Sequence, residues 1–154
     1  MTIEDEIAFL EQVPILGRLG DGALRSLAIA VETYSMQPGE VLFTAGEAAD
    51  GAYIVQRGSV TLQPERPGEP EVVAGPGTLL GETALLAETI RPATATARDA
   101  CTVLRVSRAM FLKILDSYPD AAQRLRELIA VRSDQWTREI ESVRAALTRG
   151  RLPQ

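Results

Sequence analysis

From Thr33 to about Val106, short apolar segments alternate with glycine, and this texture limits the fold more than any other feature of the chain. The segments are Val41–Phe43, Ala52–Val55, Val60–Leu62, Glu71–Val73, Ala93–Ala97 and Thr102–Val106. Pro38-Gly39, Gly46, Gly51, Gly58, Pro67-Gly68 and Gly75-Pro76-Gly77 stand between them. Segments this short cannot complete a helix, and turn signals every 8–12 residues or so predict a β-sandwich or barrel. Most of these glycines need mean no more than turn geometry.

Helical patterns flank this region. Ile3, Ile7 and Leu10 recur at helical spacing until Pro14 interrupts. Asp21 then suits the cap of a second helix bearing Leu24, Leu27, Ala28 and Val31 on one face. After Val106, Ser107 is a plausible N-cap for a short helix over 109–115. Pro119, suited to a first helical position, opens a long helix with no Gly or Pro before about Arg149. That helix would measure roughly 45 Å at about 1.5 Å per residue. The predicted organisation is a β-roll with N-terminal helices over 1–118, a long helix over 119–149 and a tail over 150–154.

At 154 residues the chain is long enough for one domain with a real core. Its longest apolar run is five residues, Leu27 to Val31, far too short for a membrane span. Glu4, Asp5 and Glu6 oppose the basic start of a secretory signal, and one cysteine cannot form an internal disulfide. A cytoplasmic location is the expectation. The chain has no histidine, which removes Ser–His and Cys–His catalysis and histidine-held zinc, iron or haem. A binding module is therefore favoured over an enzyme, and no metal or cofactor is expected. Residues 1–118 hold 9 basic and 16 acidic side chains, so the main body lacks the basic stripe of a nucleic-acid binder.

One stretch carries chemistry. Gly75-Pro-Gly-Thr-Leu-Leu-Gly81 leads into a short apolar turn from Glu82 to Ala87, and Arg91 follows just before a strand. Backbone N–H groups after a glycine and the planar donor fork of Arg91 suit an anion such as phosphate. Pro92 biases Arg91 towards extended backbone. Glu82 suits a hydrogen bond from a ribose hydroxyl. Together they describe a site for a nucleotide monophosphate. A solvated Glu82 and an Arg91 paired with it across a plain glycine turn account for the same residues.

Leu80-Gly81-Glu82-Thr83-Ala84-Leu85-Leu86, then Arg91-Pro92-Ala93-Thr94, resembles the phosphate-binding cassette of the cyclic-nucleotide-binding domain family. Gly46-Glu47-x-x-Asp50-x-x-Tyr53-Ile54-Val55-x-x-Gly58-x-Val60 resembles that family's upstream signature, and Pro38-Gly39-Glu40-Val41-Leu42 the strand start before it. The likeness runs over about residues 10–140. It implies an eight-stranded β-roll, or jelly roll, with flanking helices. It also implies a ligand site of Gly81, Glu82, Thr83, Ala84, Leu85, Arg91, Pro92 and Ala93. In that site Glu82 would hold the ribose 2′-hydroxyl, and Arg91 with the amides of Ala84 and Leu85 the cyclic phosphate. Val60, Leu62, Val73 and Leu79 are candidates for the apolar wall beside the base. Leu80 replaces the usual Phe. Pro92 stands where cyclic-GMP-selective members often carry Thr or Ser, which favours cyclic AMP, with cyclic GMP as the alternative.

Along the last helix Ile129, Trp136, Ile140, Val143 and Leu147 form a stripe suited to packing on another helix, with Ser133 as its polar interruption. A homodimer through 119–149 is expected, and Trp136 is a candidate cap over the base. Beyond 149 nothing in the sequence can enter a DNA groove. The chain reads as a cyclic-AMP sensor that signals through its last helix to an unknown downstream protein, binding neither nucleic acid nor membrane. A ligand-free interaction module of the same fold, or the sensor part of a transcription regulator, are the alternatives.

Overall fold

The computed structural model describes residues 2–128. Helix α1 (Ile3–Glu11) starts at a capping box: Thr2 Oγ1 accepts from Asp5 N, and the Asp5 carboxylate accepts from Thr2 N. A 3-10 turn, Leu16–Arg18, leads to α2 (Asp21–Ala30). Gly20, with φ 84, is the N-cap of α2, so Asp21 is the first helical residue and not the cap the sequence suggested. The backbone at position 20 has the positive φ that favours glycine, and Arg124 Nη2 lies 2.8 Å from where a Cβ there would stand.

The described strands are β1 (Glu32–Met36), β2 (Val41–Phe43), β3 (Ala48–Ala49), β4 (Gly51–Arg57), β5 (Val60–Pro64), β6 (Val72–Ala74), β7 (Leu79–Leu80), β8 (Thr89–Ile90), β9 (Ala93–Ala97) and β10 (Cys101–Ser107). They form two four-stranded sheets, ordered β1-β10-β4-β7 and β2-β9-β5-β6, and a small pair β3-β8. All described pairings are antiparallel. The expected roll of eight strands with flanking helices is what the two main sheets and the helices make.

Period-two alternation divides the central strands between two cores. Ala52 and Ile54 of β4, with Leu104 and Val106 of β10, face the helices and join Leu10, Leu16, Leu24 and Leu27. Val55 of β4, with Cys101 and Val103 of β10, faces the second sheet and meets Phe43, Val60, Ala95 and Ala97. Being covered on both sides, β4 and β10 read as nearly continuous apolar runs.

Helix α3 (Arg108–Ser117) is capped by Ser107, whose hydroxyl accepts from Met110 N at 3.2 Å, as its sequence position suggests. Phe111 and Ile114 sink into the helix-side core. After Tyr118, residues 119–128 are again helical, and we label them α4. Ala121 and Leu125 of α4 are buried in the same core, and Arg124 donates to the carbonyls of Arg18 and Leu19 at 2.7 and 2.8 Å. Residues 119–128, where the sequence predicts the long helix to start, are thus held by the rest of the chain. The stripe from Ile129 to Leu147, with Trp136, lies outside the described residues. Among the described residues no helix is long and apolar enough to cross a membrane.

Cys101 is buried between the sheets, and burial pushes its thiol pKa up. The folded thiol holds its proton more tightly than the unfolded one, so stability should fall as pH rises past the ordinary thiol value. We expect a thiol-reactive chromophore to leave native Cys101 unlabelled at pH 8 and to label it fully in denaturant. Rapid labelling of the native protein would contradict the burial.

Candidate functional site

The candidate cassette folds around Gly81. That residue takes φ 83 and ψ 38, the left-handed region in which a Cβ is unfavourable. A Cβ there would also run into Nη1 of Arg91. Glycine at 81 is therefore required twice, by its backbone angles and by the approach of the arginine. Behind it, Glu82–Leu85 forms a 3-10 turn. Ala84 and Leu85 bury their side chains, 0% and 1% exposed, and Leu85 joins the helix-side core. The turn is thus nailed to the protein by its apolar face, leaving Glu82 half-buried and Thr83 exposed on the other.

Arg91 is only 4% exposed. Its backbone is clamped by Glu47, whose carbonyl accepts from Arg91 N at 2.8 Å, and by Gly46, whose amide donates to Arg91 O at 2.8 Å. Its Nη2 donates to Gly51 O at 2.8 Å. The guanidinium lies over Phe43, 4.4 Å from the ring centroid, with Tyr53 at 5.6 Å. Nη1 is buried with no hydrogen-bond partner among the described residues. Burial pushes the guanidinium pKa down, while Tyr53, Asp50 and Glu47 pull it back up. Arginine stays charged even so, which leaves a buried cation with one unpaired nitrogen. Such a group is costly unless something anionic completes it.

Next to this guanidinium is a cavity of about 400 Å³, lined by Gly81, Glu82, Thr83, Ala84, Arg91 and Pro92 of the candidate site and by Leu79 of the candidate wall. Ala49, Thr89 and Ile90 complete the lining. Its volume lies in the range of small-molecule sites. The structure therefore brings Glu82 and Arg91 to one cavity, which spacing alone could not decide.

Other sequence-predicted residues fall elsewhere. Leu85 and Ala93 do not line the cavity. The Ala84 amide donates to Gly81 O at 3.0 Å within the turn. Val60 is fully buried between the sheets, and Leu62 packs beside it, so neither faces this cavity. Val73 pairs with Thr61 and so points away from the face shared by Val60 and Leu62, and it is 50% exposed. The proposed wall is therefore split: only Leu79 lines the cavity, because strand alternation sends Val73 to the opposite face. Trp136 lies outside the described residues. Thr94 has a structural task, accepting from Ala45 N at 3.0 Å.

Sequence reasoning gave no role to Gly51, Phe43 or Tyr53, although Gly51 supplies the acceptor for Arg91 and the rings its bed. Tyr53 was visible within the upstream signature, whereas the Phe43 contact joins β2 to a loop residue far along the chain. Among the described residues, no group of three metal-ligating side chains comes together.

The chain is similar in sequence and fold to known proteins. A cAMP-dependent protein kinase regulatory subunit of Yarrowia lipolytica is 37% identical over 109 residues, 70% of this chain and 28% of that protein. The chain spans less than a third of the curated relatives it matches. A cyclic nucleotide-binding-like protein from Brucella abortus superposes with a TM-score of 0.65 at 38% identity, covering 73% of this chain and 98% of that one. The N-terminal domain of a transcriptional regulator from Streptomyces coelicolor A3(2) superposes with a TM-score of 0.78 at 27% identity, covering 86% and 94%. Two of these relatives are named for regulation, the kinase regulatory subunit and the transcriptional regulator. The family model described as cyclic nucleotide-binding domain matches residues 34–118, more than half of the sequence, and with its paired cassette motifs and buried arginine the chain belongs to that family.

Proposed function

We propose that the chain binds cyclic AMP in the cavity between Gly81 and Pro92 and passes the bound state to its C-terminal helix. The observation that carries this reading is Arg91, a buried guanidinium whose Nη1 has no hydrogen-bond partner among the described residues. A cyclic phosphate placed there would neutralise the charge and accept from that nitrogen. Glu82, which lines the same cavity, would accept from the ribose 2′-hydroxyl. Leu79 and Ile90 would offer apolar surface to the rest of the nucleotide. Pro92 lines the cavity without a hydroxyl, which supports cyclic AMP over cyclic GMP.

Signalling would run through α3 and α4 into the helix that the sequence predicts to about Arg149. That helix would form the dimer contact and meet a downstream partner, with Trp136 as its candidate cap over the base. Differential affinity of the nucleotide for two helix arrangements would set the shift between them. This reading places the chain in the cytoplasm, as the cysteine and charge content suggest.

Calorimetry and thermal unfolding with each cyclic nucleotide test the proposal. Cyclic AMP at a hundred times its Kd should stabilise the protein by about 2.7 kcal/mol. Neither heat nor a raised Tm with millimolar cyclic AMP or cyclic GMP would leave a ligand-free interaction module of the same fold.

A further inference from the structure

The first residue of α3 links the two halves of the phosphate site. Arg108 Nη1 lies within hydrogen-bond distance of three main-chain carbonyls: Ala49 at 3.1 Å, Ala84 at 3.1 Å and Ala87 at 3.0 Å. One nitrogen carries two hydrogens, so three acceptors share two donors through a three-centre bond. The amide of Arg108 also donates to Asp50 O at 2.7 Å. The next residue along, Gly51, supplies the carbonyl that holds Arg91 Nη2. The carbonyls of Ala84 and Ala87 belong to the far end of the cassette turn and the residues just after it. The turn and the segment that anchors Arg91 therefore both hang from one residue at the start of α3, through its guanidinium and its amide.

Arg108 is not among the residues that line the cavity beside Arg91. It can act on a ligand there only through others. A phosphate reached by both Arg91 Nη1 and the turn needs the two held at one separation, and small misplacements of that kind are costly. We infer that Arg108 is a positioning residue for the bound phosphate: it fixes the turn against the Gly51 segment and couples both to the first residue of α3. This inference rests on the cyclic-nucleotide reading of the cavity.

The test compares Arg108→Met and Arg108→Lys with the wild-type chain, using cyclic AMP titration and amide exchange of the ligand-free proteins. All three side-chain bonds leave a single nitrogen, so an ammonium with three donors should replace it well. Met should weaken cyclic AMP binding by about tenfold, the equivalent of roughly one net hydrogen bond. Met should also speed exchange at the amides of Ala84, Leu86, Ala87 and Arg91 while leaving those of β5 and β9 unchanged. Lys should bind within about threefold of wild type, a rescue that a purely structural loss would not show. Wild-type affinity and wild-type exchange in Met would overturn the inference, as would equal weakening in Met and Lys. If Met does not fold, Lys decides alone: within threefold supports, more than tenfold weaker overturns. If the wild-type chain gives no binding heat, the ligand reading fails, and exchange at Ala84 to Arg91 still decides whether Arg108 holds the turn.

Discussion

Replacing Arg91 by methionine should weaken cyclic AMP binding by about ten- to a hundredfold while leaving the ligand-free protein close to wild-type stability. The affinity loss follows from removing charge-assisted hydrogen bonds worth about 1.5–3 kcal/mol. The stability outcome is less intuitive, because a buried side chain in contact with its surroundings is being removed. Without ligand, however, Arg91 is 4% exposed, donates to Gly51 O and, among the described residues, leaves Nη1 unpaired. Methionine forfeits that charge-assisted bond, about 1.5–3 kcal/mol, and the contact with the Phe43 ring, about 1 kcal/mol. It recovers the cost of holding a charge away from water, and exchanging buried ions for apolar groups often gains about 1–4 kcal/mol. Its flexible thioether suits the space over Phe43 and Tyr53. Calorimetry and thermal unfolding with and without nucleotide check both halves. Wild-type affinity in the variant, or a ligand-free Tm lower by ten degrees, would show that Arg91 is a structural residue.

Gly51→Ala should cost about 3 kcal/mol or more, the high end for overpacking and diagnostic of a main-chain clash. A Cβ at this position would strike the carbonyl oxygen of Val106 and stand 2.8 Å from the Cα of Ser107. Gly51 is the register partner of Ser107 where β4 meets β10, so the colliding atoms belong to the central ladder. Backbone atoms cannot swing aside as a flexible side-chain tip can, and the strands would have to part. In a domain of this size the loss corresponds to a Tm lower by roughly 6–12 degrees. Gly75→Ala is the control: a Cβ there meets nothing within 4 Å, and its φ is not positive. That variant should unfold within about 0.5 kcal/mol of wild type. Equal Tm values for the two would refute the close approach. Because Gly51 O is also the acceptor for Arg91, the folded fraction of Gly51→Ala should bind nucleotide less well.

Both predictions concern residues whose importance was unequally visible. Arg91 stood out at once, as a lone arginine after a glycine turn and before a proline. Gly51 was one glycine among many with turn geometry as its only assigned task. Its role comes from a strand pairing with a segment more than fifty positions away. Arg108 was hidden for the same reason. Its sequence context signals only a helix start after Ser107, and its three acceptors arrive from Ala49 and the cassette turn.

The strands show the same division. Val41–Phe43 and Ala93–Ala97 were read with the bounds they have, and four more segments were found within a residue or two. The two-residue strands β3, β7 and β8 are too short to show a period. Strand β1 was missed because it lies at a sheet edge, exposed along four of its five residues, so burial leaves no apolar alternation in Glu32–Met36.

What the sequence determined by itself was local: where short strands must turn, where helices begin, and which residue types could meet a phosphate and a ribose. Periodicity and residue chemistry act over a few positions, so a single chain carries those signals openly. What only the tertiary structure decided was which of these groups share a cavity and in what state. Burial left Arg91 with an unpaired nitrogen, strand alternation turned Val73 away from Val60 and Leu62, and long-range contacts gave Gly51 and Arg108 their tasks. Those outcomes depend on desolvation and on distances between segments far apart in the chain, and neither quantity exists until the sheets close.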